Sequence, residues 1–251
     1  MRWLGTQIIE LEACGSTNDE AARLARAGAS HGTVIIAQTQ TAGRGREGRV
    51  WQSPPGSGLY LSAVVRPPLP LATVPPLTLA IGVGACEAVR HAGVAAELKW
   101  PNDLVVAGTP GAPYRKLGGI LVESQSQGTR LDAVIVGIGI NLEALPLDLD
   151  PTRSAISLAE ASATPIERPA FVTRLLGFLE LWIDRYIAGG LPAVIPTWHA
   201  YMAAGVTARV TVDGAPVVGQ VTGVDSEGAL LLRDADARVH RVRSGDVQTV
   251  R

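Results

Sequence analysis

Cysteine is nearly missing from this chain. Cys14 and Cys86 are the only two in 251 residues, and they stand in no CxxC or other metal-ligand spacing. Two cysteines make no disulfide framework, so the chain must hold itself together by burial, and a reducing cytoplasm is its natural compartment. Histidine is equally sparse, with four scattered residues. A charge of one sign is lacking too: 22 Lys and Arg against 23 Asp and Glu leave a formal net charge of −1, so no global basic field draws nucleic acid. Met1 to Gln7 contain no signal-peptide core. The longest apolar stretch, Ala133–Leu142, is broken by glycines and too short to span a bilayer. These absences point away from secreted scaffolds, membrane proteins and nucleic-acid binders, and toward a soluble intracellular protein.

What is present is core and punctuation. Hydrophobic residues make up 47% of the chain, with 28 glycines and 17 prolines, enough to pack one large domain and a small one. Thr17-x-x-Glu20 has the form of a capping box and opens a helix to about Ala27. Thr33–Ala37 and Leu59–Val65 read as strands, and Pro75-Pro76 precede an apolar helix to about His91. Strands follow at Glu97–Trp100, Leu104–Val106, Leu117–Glu123 and Ala133–Ile138, with Gly108–Pro113 as a hairpin loop. Helices are predicted at Ser157–Ala161, Pro169–Ala188 and Leu191–Tyr201. From Val206 the texture changes. Short alternating stretches (Ala208–Val212, Val217–Val224, Ala229–Arg233, Val239–Val242) are divided by Asp213-Gly214, Glu227-Gly228 and Ser244-Gly245, as in a small β-barrel. The expected division is residues 1–205 and residues 206–251, in an α+β fold with a mixed sheet flanked by helices.

The chemistry is concentrated in short runs. Gly43-Arg44-Gly45-Arg46-Glu47-Gly48-Arg49-Val50-Trp51 alternates glycine with arginine. Such a run can aim backbone N–H groups into an anion nest and add guanidinium forks for phosphate or carboxylate. A solvated loop and an RNA-binding tract remain alternatives from composition alone. Gly43-x-Gly45-x-x-Gly48 matches a dinucleotide fingerprint, but Pro54-Pro55 follow where that motif needs a helix. Gly28-x-Ser30-x-Gly32 matches a nucleophile elbow with its helix and strand in the wrong order. Lys99-Trp100-Pro101-Asn102-Asp103 puts a cation, an aromatic, an amide and a carboxylate at a turn. Arg115-Lys116 stand before a strand opening on Gly118-Gly119, and glycine inside a strand often marks close approach of a ligand. Gly137-Ile138-Gly139-Ile140-Asn141 repeats that theme.

Together these runs resemble the biotin–protein ligases. That family carries Ser-Thr-Asn at its first helix, as at Ser16–Asn18, then a Gln-x-Ala-Gly-Arg-Gly-Arg-x-Gly-Arg-x-Trp loop, as at Gln40–Trp51. Lys-Trp-Pro-Asn-Asp, Arg-Lys-Leu-(Ala/Gly)-Gly-Ile-Leu and Gly-x-Gly-Ile-Asn follow in the same order, at Lys99–Asp103, Arg115–Leu121 and Gly137–Asn141. The resemblance implies a catalytic domain of the class II synthetase and biotin-ligase kind, ending in an SH3-like barrel. Repressor-type members carry a DNA-binding domain before Ser-Thr-Asn. Only fifteen residues precede Ser16, so the expectation is the ligase-only class, acting without DNA or membrane, as a monomer or homodimer.

By the same resemblance, ATP and biotin would form biotinyl-5′-AMP, which a lysine of a biotin carboxyl carrier protein or domain then attacks. Lys116 would bridge the biotin carboxylate and the α-phosphate, with Arg44 and Arg46 bracing them and Arg49 on the pyrophosphate side. Trp51 would stack on adenine. Ser16, Thr17, Asn18, Gln40, Gly43 and the backbone near Gly119 would hold biotin and its ureido ring. Lys99, Asn102 and Asn141 would surround the nucleotide. Mg²⁺ would ride on the ATP phosphates without a dedicated protein cage, with Asp103 helping through water. The nearest rival is a lipoate ligase or octanoyltransferase of related fold.

Three arginines among glycines leave the 43–51 loop little to order it without ligand, and Glu143–Ser154 is a second candidate lid. Proteolysis within Gly43–Arg49 is therefore expected to be fast for the protein alone and suppressed by biotin plus ATP. Equal cleavage rates in both states would refute this.

Overall fold

The computed structural model describes residues 2–109, 112–146, 149, 154–203, 206–212, 215–243, 245 and 247–249. It opens with a strand that the side-chain pattern does not announce, β1 (Gln7–Cys14). None of the eight side chains of β1 is fully buried, and Ile8 remains 43% exposed. With no apolar face to display, β1 is recruited to the edge of the sheet by main-chain pairing. It runs parallel to β2 (Thr33–Gln40), Gln7 against Thr33 and Cys14 against Gln40. Helix α1 (Thr17–Arg26) connects the two.

The predicted strands at Leu59 and beyond build the rest of the sheet. β3 (Gly58–Val65) is buried at all eight positions, as a continuous apolar run demands. After helix α2 (Val74–His91) come β4 (Ala96–Lys99), β5 (Asp103–Thr109), β6 (Ala112–Gln127) and β7 (Arg130–Asn141). The sheet order is β1-β2-β3-β7-β6-β5-β4, all antiparallel except β1 with β2. One face receives Ala21 and Ala25 of α1 against Ile35, Val64, Ala133 and Ile135. The other is covered by α2, by α4 (Arg168–Gly189) and by α5 (Ile195–Tyr201) in one continuous core. A single-turn helix, α3 (Leu158–Ala161), is opened by a Ser157–Glu160 capping box.

Two readings change. The expected 108–113 loop is mostly strand, because Thr109 pairs with Ala112, and Pro110-Gly111 lie outside the described residues. Lys116 therefore sits inside β6 rather than before it. The register between β5 and β6 slips there, with Leu104 opposite Gly118 and Val105 opposite Lys116. Such a bulge re-aims the side chains beside it. Ala133–Leu142 is also not the most membrane-like segment. Leu71–His91 has a mean hydropathy of 1.4 and the length to cross a bilayer, but 67% of that window is buried against the sheet and α4.

The tail forms a second sheet, β8 (Thr207–Val212), β9 (Ala215–Val224), β10 (Leu230–Arg233), β11 (Val239–Val242) and β12 (Gln248–Thr249), in antiparallel order β11-β10-β9-β8-β12. The Glu227-Gly228 turn forms with Gly228 at φ +86°, while Asp213-Gly214 and Ser244 lie outside the described residues. That turn is docked on the larger sheet: Trp100 Nε1 donates to Gly228 O at 3.0 Å. Ala203 N donates to Leu98 O at 2.9 Å, and His199 Nε2 accepts from Val224 N at 3.0 Å.

Gly84 shows how closely α2 and α4 meet, since a Cβ there would stand 2.9 Å from Phe178 O. Alanine at this position improves helix propensity by about 1 kcal/mol, but overpacking costs roughly 1–3 kcal/mol. Gly84→Ala is therefore expected to lower the thermal midpoint, and a raised midpoint would show that the helices can separate freely.

Candidate active site

The start of α1 is polar and buried. Ser16, Thr17 and Asn18 are 3%, 4% and 4% exposed. The expected Thr17–Glu20 capping box is absent: Ser16 is the N-cap residue and makes no side-chain cap. The cap comes instead from another element. Gln40 Oε1, at the end of β2, accepts from Thr17 N at 2.8 Å, and Thr17 Oγ1 lies 3.1 Å from the same oxygen. A side chain remote in sequence thus satisfies an N–H that every helix start leaves open. Glu20 pairs with Arg23 at 2.9 Å.

The Gly/Arg run folds back on itself as a small hairpin. Gly45 N donates to Arg49 O at 2.7 Å, and Trp51 N donates to Gly43 O at 2.9 Å. Those amides are spent within the loop rather than aimed together as a nest. Glu47 takes a left-handed conformation at φ 56°, a strain of about 1–2 kcal/mol for a non-glycine residue. Arg44 is anchored: its Nη1 contacts Asp19 Oδ1 and Oδ2 at 2.6 and 2.7 Å, and its Nη2 reaches Glu123 Oε1 at 3.3 Å. The hydrogen bond to Asp19 raises the Arg44 pKa still further above its ordinary value. Arg46 stands 3.8 Å from Glu47.

Trp51 ends the hairpin on a bed of glycine. Gly119 and Gly139 are cross-strand partners on β6 and β7. A Cβ on Gly139 would stand 2.6 Å from Trp51 Cε2, and one on Gly119 would stand 3.2 Å from Cζ3. The indole Nε1–H finds no acceptor among the described residues, so contact with the glycines seats the ring. Lys116 Nζ lies 5.3 Å from the indole centroid and 2.6 Å from Asp103 Oδ1. Above it passes the 154–156 segment: Lys116 N donates to Ser154 O at 2.8 Å, and Ile156 N donates to Lys116 O at 2.9 Å.

These elements enclose a cleft of about 140 Å³. With Trp51 in place it is smaller than the roughly 300–1,000 Å³ of ordinary ligand sites. Ser16, Thr17, Asn18, Gln40, Arg44, Arg46, Arg49, Trp51, Lys99, Asn102, Asp103, Lys116 and Gly119 all line it. Two expected residues do not. Gly43 is buried at the base of the loop, where a Cβ would meet Trp51 O at 2.5 Å. Asn141 is 5% exposed and donates through Nδ2 to Lys116 O at 3.2 Å and Ile156 O at 3.1 Å, so it holds the strand that carries the lysine. Asn102 faces the cleft but spends Nδ2 on Ile120 O at 2.7 Å. Of the second candidate lid, residues 147, 148 and 150–153 lie outside the described residues. Among the described residues no three His, Cys, Asp or Glu side chains converge as a cation cage.

Residues 14–141 match the Biotin/lipoate A/B protein ligase family, and residues 205–249 match the Biotin protein ligase C terminal domain. The chain belongs to the biotin/lipoate A/B protein ligase family. The Bifunctional ligase/repressor BirA of Bacillus subtilis is 33% identical over 249 residues, covering 98% of this chain and 74% of that protein. The Biotin--[acetyl-CoA-carboxylase] ligase of Mycobacterium tuberculosis is 34% identical over 245 residues, covering 94% of this chain and 86% of that protein. Among solved structures, the biotin protein ligase from Aquifex aeolicus in complex with biotin and ATP superposes with a TM-score of 0.78 at 26% identity, over 98% of this chain and 99% of that one. The mixed α+β sheet described above is that of this ligase family.

Asp19, Ser62 and Glu123 were not among the expected site residues, yet all three reach the side chains of the family's motifs. Glu123 had one visible signal, a carboxylate closing the apolar run Ile120-Leu121-Val122. Gly139→Ala is expected to expel Trp51 from its seat and speed protease cleavage of the 43–51 loop. An unchanged cleavage rate would show that the glycine bed does not hold the loop.

Proposed function

We propose that this protein couples biotin to a lysine of a biotin carboxyl carrier protein or domain, at the cleft between α1, β2, β6 and β7. One observation carries the reading: a polar, buried floor (Ser16, Thr17, Asn18) lies in the same cleft as Lys116 and Trp51. A neutral hydrogen-bonding ring and a reacting anion can therefore be held side by side.

In the first step a biotin carboxylate oxygen attacks the α-phosphorus of ATP. The bond to the β-phosphate bridging oxygen breaks, and pyrophosphate leaves. In the second, the amine of the acceptor lysine attacks the acyl carbon, loses a proton and releases AMP. Both steps gather negative charge, and a cation placed in advance where it develops is the most effective aid. Lys116 takes that part, exchanging Asp103 for the carboxylate and the α-phosphate. Arg46 and Arg49 serve the phosphates, Lys99 and Asn102 border the nucleotide, and Trp51 turns from its glycine bed to cover adenine. Ser16, Thr17 and Gln40 hold the ureido ring. Arg44, tied to Asp19 and Glu123, tethers the loop at the carboxylate end. Mg²⁺ enters as part of the nucleotide substrate, with Asp103 the carboxylate nearest Lys116. With two cysteines and a buried apolar helix, the cytoplasm is the compartment assigned.

Mass analysis after incubation with ATP, Mg²⁺ and biotin is expected to show biotinyl-AMP, and ATP–pyrophosphate exchange should depend on biotin but not on lipoate. Lys116→Ala should slow adenylate formation by about 10²–10³-fold, the range for loss of one charge-stabilising group. An unaltered rate would remove Lys116 from this role, and exchange supported by lipoate would change the substrate.

A further inference from the structure

Behind the cleft runs a chain of hydrogen bonds whose direction is set by its last member. Asn18 Nδ2 donates to Glu123 Oε2 at 2.6 Å and, at the long limit of a hydrogen bond, to Leu121 O at 3.4 Å, while Asn18 Oδ1 accepts from Ser62 Oγ at 2.6 Å. Ser62, 0% exposed on β3, has a single proton, and an amide oxygen has none to offer, so that proton is committed to Asn18. Toward Thr17 Oγ1, 2.8 Å away, Ser62 is then an acceptor. That contact takes the Thr17 proton, so Gln40 Oε1, 3.1 Å away, keeps a lone pair, and Thr17 Oγ1 keeps another, for the cleft both residues line.

The opposite polarity is also conceivable. With the Asn18 amide reversed, Nδ2 would donate to Ser62 and Ser62 to Thr17, so the Thr17 proton would turn to Gln40 Oε1 or into the cleft and the floor would lose an acceptor either way. A carboxylate only accepts, so the reversed amide would press two acceptors together at 2.6 Å. Glu123 excludes that state. Space for the arrangement comes from Gly137, where a Cβ would stand 2.1 Å from Asn18 Oδ1.

We propose that Glu123 is a specificity-determining positioning residue: by orienting the Asn18 amide it makes the floor of the cleft a hydrogen-bond acceptor, which selects acids whose ring carries N–H donors, the cyclic ureas, over acids with a dithiolane or plain alkyl end. The inference deepens the biotin reading and rests on it. Glu123 also meets Arg44 Nη2, at 3.3 and 3.4 Å, so a route through the loop is the competing explanation.

Glu123→Gln keeps the shape but can donate as well as accept, which leaves only the 3.4 Å contact with Leu121 O to orient the amide. In biotin-dependent ATP–pyrophosphate exchange its KM for biotin should rise about tenfold, the value of one hydrogen bond, with kcat within about twofold. Biotin methylated on both ureido nitrogens, which has no N–H to give, should show no such rise between the two proteins. Ser62→Ala cuts the chain in the middle and should reproduce the biotin effect, with the double variant no worse than either single one. Asp19→Asn, which loosens Arg44 without touching Asn18, should change KM for biotin and for the methylated acid by the same factor. An unchanged KM in Glu123→Gln, or a rise for biotin alone in Asp19→Asn but none in Ser62→Ala, would overturn the proposal. Should Ser62→Ala fail to fold, the two biotin arms on Glu123→Gln still decide. Absence of any biotinyl-AMP from the unaltered protein would instead overturn the reading of the whole site.

Discussion

A site that joins two anions must hold several cations within a few ångströms of each other before either anion arrives. Two unit charges 4 Å apart at an effective dielectric near 20 repel by about 4 kcal/mol, which is a large share of the stability of an ordinary domain. The cleft meets this constraint by giving its cations carboxylate partners. Lys116 has Asp103 at 2.6 Å, and Arg44 has Asp19 and Glu123. Each pairing is also mechanical. The Asp103 pair joins the Lys99–Asp103 turn to β6, and the Arg44 pairs join the loop to α1 and β6.

The rest of the architecture serves those pairings. Lys116 is placed by a bulge between β5 and β6, by the 154–156 segment, and by Asn141 from the neighbouring strand. The turn that carries Asp103 is held from behind by the C-terminal sheet, through Trp100 and the carbonyl of Gly228. The glycines of β6 and β7 do more than permit ligand approach. They leave a flat surface that Trp51 occupies, so the loop, expected to have little to order it, has a seat at both ends, Arg44 on its carboxylates and Trp51 on its bed.

Most strands and helices were legible because their physics is local. The apolar runs of β2 and β3, the prolines opening α2 and the turn glycines of the tail needed no knowledge of their neighbours. β1 was not legible, since an edge strand without an apolar face is defined by what it pairs with. The Thr17 capping box failed for a related reason. Its pattern was right, but Gln40 offered a better acceptor from 23 residues away. Lys116 was singled out from its motif but put before its strand, because a register shift leaves no mark in one strand's own residues.

The sequence by itself determined which residue types line the cleft: a lysine beside paired glycines, arginines in a glycine loop, and polar residues at a helix start. Family motifs are short and contiguous, and contiguity survives in one dimension. Only the tertiary structure decided the partners. Asp103 for Lys116, Asp19 and Glu123 for Arg44, and the run from Thr17 through Ser62 and Asn18 to Glu123 join residues up to 105 positions apart. Hydrogen bonds act over less than 3.5 Å, and that distance has no counterpart along the chain until the sheet brings β3, β6 and α1 together.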